Sequence, residues 1–178
     1  MKKQEIIILS AVMLALVLIR VYFDIPNFNP LGAIALMGGI LFGRNGLAFL
    51  IPVSALFVGD LLLASNNALN QDYLFSASFL TVYASFGLMI VFGMLLAKKP
   101  SLSGVLGGSI IAAITFFAVT NAGAWMTLPE YPKTFSGLMS AYTAGIPFFR
   151  NTLISQVVFS IGIYAVYSFA TQRRMALA

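Results

Sequence analysis

Four ionisable side chains stand in or at the edge of long apolar runs: Arg20, Asp24, Asp60 and Arg150. Charges inside a lipid-facing chain are costly, so they pair with one another or face a protein interior or a water-filled cavity. There they can hold each other, grip a polar ligand or, in the case of Asp60, take up and release a proton. Arg20 and Asp24 are four residues apart, a spacing that permits pairing along one helix turn. Asp60 has no opposite charge close in sequence, so a partner from elsewhere is expected, with Arg150 or Arg20 as candidates. Amides and rings accompany the charges: Asn27, Asn29, Asn121, Asn151, Trp125 and Tyr142. Trp125 follows Asn121 by one helical turn and shares its face. Such a set suits oriented hydrogen bonding to, and stacking on, a small ring-bearing polar molecule. Catalysis fits less well. The chain has no cysteine and no histidine, which removes thiolate nucleophiles, thiolate or imidazole metal sites and imidazole acid–base chemistry. No paired-carboxylate spacing stands out either. No enzyme activity, metal or cofactor is expected.

The elements that must position these residues are helices in a membrane. Of 178 residues, 60% are hydrophobic and only 8% charged, against about 25% charged in soluble domains. The expected fold is all-α, a single transmembrane domain over residues 1–178. Six apolar segments can be marked, at residues 5–23, 31–42, 46–64, 74–97, 102–126 and 148–170. A full span takes about 20 apolar residues. The second segment falls short and reads as a half-helix or a re-entrant piece buried in protein. Asn29-Pro30 reads as its N-cap followed by proline at the first helical position. Residues 66–72 read as a loop. The longest connection runs from Thr127 to Pro147, and within it residues 134–144 suggest a short helix along the interface. This connection and the Asn27–Pro30 loop are expected to act as lids.

Lysine and arginine set an orientation. Lys2, Lys3, Arg44, Lys98, Lys99, Arg173 and Arg174 fall on one side of this layout, and Lys133 alone falls in the opposite loops. By the positive-inside rule both termini are cytoplasmic. The net charge of +5 is thereby explained without nucleic acid. Residues 1–23 resemble the first two regions of a signal peptide, but no small-x-small cleavage pattern follows, so they read as a retained helix. With this orientation the embedded polar residues gather towards the outside, which suggests an outward-facing pocket. The start of the second helix adds free N–H groups and a positive dipole end, suited to a carboxylate or phosphate held with Arg20 or Arg150. Ala11/Ala15 and Gly104/Gly108 are small-residue pairs that allow close helix approach.

The ensemble resembles the substrate-binding S components of energy-coupling factor (ECF) vitamin transporters, which are six-helix membrane proteins with cytoplasmic termini and an outward-opening pocket. The resemblance is architectural and spans the chain. Ala11-xxx-Ala15 is similar to that family's contact motif for the coupling subunit. Asn27-Phe28-Asn29-Pro30-Leu31-Gly32-Ala33, Gly59-Asp60 and the run Gly145-Ile146-Pro147-Phe148-Phe149-Arg150-Asn151-Thr152-Leu153 also resemble a group of uncharacterised bacterial putative transport proteins. The resemblance implies a bacterial cytoplasmic (inner) membrane protein. It also implies an uptake subunit for a vitamin-like or cofactor-precursor molecule, with an ECF coupling subunit and ATPases as partners. The absence of a G-x-x-x-x-G-K-[ST] motif agrees with energy supplied by partners. Lacking cysteine and histidine, the chain is not expected to ligate the cobalt of a cobalamin. Two alternatives stay open. One is a self-sufficient permease using Asp60 as coupling carboxylate, although no inverted repeat is visible. The other is a structural subunit of a larger membrane complex, with the alanine and glycine faces as contacts.

Overall fold

In lipid every backbone polar group must be satisfied within the protein, so apolar segments of this length form helices. The computed structural model describes residues 3–22, 26–97 and 100–175; Asp24, Lys2, Lys98 and Lys99 lie outside the described residues. The helices are α1 (Lys3–Tyr22), α2 (Leu31–Phe42), α3 (Leu47–Asn66), α4 (Ala68–Tyr73), α5 (Ala77–Leu96), α6 (Leu102–Thr127) and α7 (Phe135–Met175). No strand occurs among the described residues. Five helices are long and apolar enough to cross a bilayer, and α2 is a shorter apolar helix. Large apolar side chains such as Leu50, Leu80, Leu95, Ile111 and Phe169 point outward. The chain is a polytopic membrane helical bundle.

The short helix α2 is the centre of this bundle. Twelve residues at about 1.5 Å per residue reach only about 18 Å, well under the ~30 Å hydrocarbon core. Every α2 residue except Gly32 is buried, and the helix packs against α3, α5, α6 and α7. Glycine permits the closest of these contacts. A methyl group on Gly39 would stand 2.1 Å from the carbonyl oxygen of Ile90, and one on Gly93 would stand 2.2 Å from that of Leu36. On the other flank, a methyl on Gly38 would meet the Pro52 ring at 2.2 Å. The bounds of α2 are those expected, but Pro30 is its cap position instead of its first helical residue. The Asn29 side chain still serves it, its Oδ1 accepting from the Leu31 N–H at 3.1 Å. The helix ends at Gly43, whose φ of 60° suits glycine.

The expected interfacial helix and sixth span are one continuous helix, α7, which runs through Pro147. It lies alongside α6 for most of its length. The Tyr142 hydroxyl donates to the Ala118 carbonyl at 2.9 Å, the Phe117 and Phe149 rings lie 5.1 Å apart, and Tyr164 donates to the Pro100 carbonyl at 3.4 Å. Residues 135–146 thus pack against a transmembrane neighbour. Proline costs one internal hydrogen bond, here the one to the Thr143 carbonyl, and membrane helices tolerate such a break where neighbours support it. The connection from α6 shrinks to residues 128–134, and it is tied down. Trp125 Nε1 donates to the Pro132 carbonyl at 2.9 Å. Lys133 Nζ donates to the carbonyls of Trp125, Leu128 and Tyr131.

Other expectations shift in smaller ways. The loop expected at residues 66–72 contains α4, capped by Asn67, whose Oδ1 accepts from the Leu69 N–H at 2.9 Å. Ser76 caps α5, so that helix starts three residues later than the hydropathy suggested. Ala11 and Ala15 are both exposed on α1, so this pair makes no close internal contact. Gly108 is buried near Leu96 and Leu36, whereas the surroundings of Gly107 are open.

Candidate functional site

On α1 and α3, a small residue brings opposite charges together. A methyl on Gly59 would stand 2.5 Å from Val17 Cγ1, so the absence of a side chain lets α1 approach closely. One turn along α1, Arg20 Nη1 donates to Asp60 Oδ1 at 2.6 Å. The Tyr83 hydroxyl of α5 donates to Asp60 Oδ2 at 2.8 Å. Asp60 is only 5% exposed and Arg20 22%. Arg20 is therefore the partner that Asp60 required, and Arg150 is an exposed residue on α7. Near this cluster, burial pushes the Tyr73 phenol up to about 12, and the negative charge of Asp60 adds to the effect. Rings continue from the cluster into the bundle: Phe79 stacks on Tyr83 at 4.1 Å, Tyr83 meets Phe86 at 6.1 Å, and Phe86 stacks on Phe116 at 5.9 Å.

Phe86 and Phe116 lead into a two-lobed cleft between the α2 start and α5, α6 and α7. The lobes share Asn27, Phe116 and Thr152. The smaller, about 20 Å³, is completed by Asn29, Gly32, Phe86, Met89, Ser155 and Gln156. The larger, about 110 Å³, is completed by Phe117, Thr120, Asn121, Gly145, Phe148 and Phe149. Among the described residues, no charged side chain lines either lobe. Two glycines shape the walls. A methyl on Gly145 would stand 2.3 Å from Asn121 Oδ1, and one on Gly32 would stand 2.2 Å from Gln156 Oε1. Gln156 is only 3% exposed, and its Nε2 has no hydrogen-bond partner. Buried polar groups are rarely left so. Ser160 Oγ, one turn further along α7, is in the same position.

The residues expected from the sequence separate into groups. Asn27, Asn29 and Asn121 line the cleft. Arg20 and Asp60 form the ion pair with Tyr83. Trp125 and Tyr142 spend their polar atoms on backbone carbonyls. Asn151 Nδ2 donates to the Pro26 carbonyl at 3.0 Å, fastening the loop before α2 to α7. The same loop holds Asn27 at a φ of 56°, a left-handed conformation that asparagine tolerates better than most residues. The cleft also draws on Thr120, Thr152, Ser155 and Gln156, which the sequence reading passed over. Their signal was present. Asn151, Thr152, Ser155 and Gln156 recur at i, i+1, i+4 and i+5, which places polar atoms on one face of an otherwise apolar helix.

No curated protein and no solved structure matches the chain. A family profile matches residues 1–177, nearly the whole sequence. The helical bundle and its cleft thus belong to a member of a family of unknown function, DUF6580.

Proposed function

We propose that this protein binds a small, ring-bearing polar molecule in the cleft between α2, α5, α6 and α7, as the substrate-binding membrane subunit of an uptake system. The observation that carries this reading is Gln156, buried against aromatic walls with an amide nitrogen that no protein group satisfies. Leaving such a donor unpaired costs about 1–3 kcal/mol, and a bound acceptor would recover it. Apolar walls with a few converging polar groups are the usual character of a small-molecule site. Sites for drug-sized ligands measure roughly 300–1,000 Å³, so these lobes suit a small ring, or a larger one after some opening. Pro147 lies between Gly145 and Phe148 of the larger lobe, and the missing hydrogen bond makes it the place for α7 to bend. In this reading Arg20, Asp60 and Tyr83 lock α1, α3 and α5 together and keep the cleft walls in register.

The class of compound, vitamin-like or a cofactor precursor, rests on the resemblance to ECF S components. So do the bacterial cytoplasmic membrane and the partner coupling subunit and ATPases. The exposed Ala11 and Ala15 leave a small-residue face open on α1 for such a partner. The lysine and arginine pattern supports cytoplasmic termini, and with that orientation the α2 start and the cleft face outward. A self-sufficient permease relying on Asp60 is less well supported, because both of its carboxylate oxygens are already engaged. The test is to purify the protein in mild detergent from cells grown in rich medium, denature it and identify released small molecules by mass spectrometry. A stoichiometric organic compound is expected. A folded but empty protein would count against the binding reading.

A further inference from the structure

We infer that the molecule bound in this cleft presents an uncharged carbonyl oxygen, which docks at the α2 N-terminus against the backbone N–H groups of Gly32 and Ala33 and the side-chain amide of Gln156. The inference rests on the cleft binding a ligand at all and names the chemistry of that ligand.

The first N–H groups of a helix have no partner inside it. In α2, the Leu31 N–H is taken by Asn29 Oδ1 at 3.1 Å and the Ile34 N–H by the Pro30 carbonyl at 2.9 Å. Among the described residues, nothing accepts from Gly32 or Ala33. Ala33 is fully buried, so water does not serve it as it would serve a helix start at the surface. Gly32 lines the smaller lobe together with Gln156, and its missing side chain is what admits the Gln156 amide. Gln156 turns its Oε1 to Gly32, and Nε2 of the same amide is a third unsatisfied donor. Three unsatisfied donors set against the single Gln156 Oε1 call for a further oxygen lone pair.

The electrostatics select a neutral oxygen over an anionic one. The helix end carries about half a positive charge, enough to polarise a carbonyl. Full burial of a carboxylate or phosphate requires a counter-charge, and neither lobe has one. Arg20 is committed to Asp60, and Arg150 is exposed. Phe86 and Phe116, stacked at 5.9 Å, form the adjoining wall and favour a carbonyl borne on a planar ring.

The preparation for mass spectrometry is repeated with Gln156→Met, Gly32→Ala and Arg150→Ala, each checked for a monodisperse gel-filtration peak. Gln156→Met keeps the volume and removes the donor. Gly32→Ala places a methyl where the Gln156 amide now sits, and only the end of a flexible side chain must move, so this variant carries the test if Gln156→Met fails to fold. The wild type is expected to release a compound with an uncharged ring carbonyl, retained about tenfold less by both cleft variants and fully by Arg150→Ala. A compound retained equally by the folded cleft variants, or one whose acceptors are only carboxylate or phosphate, overturns this subsite and leaves the cleft reading standing. A wild-type protein that releases nothing overturns both.

Discussion

Replacing Arg20 by methionine separates a structural ion pair from a ligand contact. The substitution keeps most of the side-chain length and removes the charge that meets Asp60 Oδ1 at 2.6 Å. Asp60 is then a carboxylate, 5% exposed, with the Tyr83 hydroxyl as its remaining donor. Breaking a buried pair from one side costs about 3–5 kcal/mol. For a chain of this size that corresponds to a fall in thermal midpoint of roughly 6–20 °C. The opposite change, Asp60→Asn, is milder. Arg20 is 22% exposed and can turn its head towards the polar interface, while Tyr83 keeps an amide oxygen to donate to. Its cost is about 1–2 kcal/mol. The double variant is expected to resemble Asp60→Asn, because the stranded carboxylate is gone. The assay is thermal unfolding in detergent followed by Trp125 fluorescence, with released compound measured on the same samples. Strictly additive losses in the double variant would refute the pairing argument. If folded Asp60→Asn lost its bound compound, Asp60 would be a ligand contact or a coupling carboxylate, and its assignment to positioning would be wrong.

Gly39→Ala and Gly93→Ala each place a methyl little more than 2 Å from a carbonyl oxygen of the facing helix. Backbone cannot move aside as a side-chain tip can, so each should cost 3 kcal/mol or so and reduce folded yield, whereas Gly107→Ala, in open space, should be neutral by the same thermal assay. A raised Tyr73 pKa makes stability depend on alkaline pH. The folded phenol titrates near 12 and the unfolded one near 10, so this contribution is intact below pH 10 and lost as pH rises towards 12. Tyr73→Phe should flatten the decline of the thermal midpoint between those values.

Hydropathy and composition carried the architecture a long way. Helix existence, the shortness of α2 and the burial of Asp60 all followed from the cost of polar groups in lipid, a term large enough to override local propensity. The boundary between residues 128 and 147 did not follow. Pro147 read as the end of a connection, yet a single missing hydrogen bond is a small loss beside the packing of Tyr142, Gly145 and Phe149 on α6. The partner of Asp60 was narrowed to two arginines and no further, because the choice depends on how closely α1 meets α3 at Gly59. The closest helix crossing was not legible for the same reason. Gly104 and Gly108 have the familiar spacing, but the close crossing is made by Gly39 and Gly93, which lie on different helices and show no pattern in either one. For the cleft, weight on charged residues drew attention to Arg150 and away from Gln156. A neutral amide in an apolar run is a weaker signal than a charge, although its burial without a partner is the more informative fact.

The depth of the cleft and its chemistry share one cause. Proline at position 30 and glycine at position 43 bound a helix that spans about 18 Å, too short to cross the hydrocarbon core, and its C-terminal half is held by the Gly39–Gly93 crossing. The chain before it must descend to meet it. It does so as the 26–30 loop, whose Pro26 carbonyl is held by Asn151 and whose Phe28 ring packs on Phe159 at 5.6 Å. A helix start brought to that depth loses the water that satisfies exposed helix ends. Its orphan N–H groups must then be satisfied by protein or by ligand. Asn29 and Pro30 take two of the bonds, and a second loop residue or a polar side chain would serve for the rest if the end were merely structural. Instead the side chain placed beside Gly32 is Gln156, which brings one oxygen, Oε1, and leaves its amide nitrogen unpaired. An arrangement that leaves buried donors in excess of acceptors is hard to account for by folding alone, and it is accounted for by a carbonyl that arrives from outside.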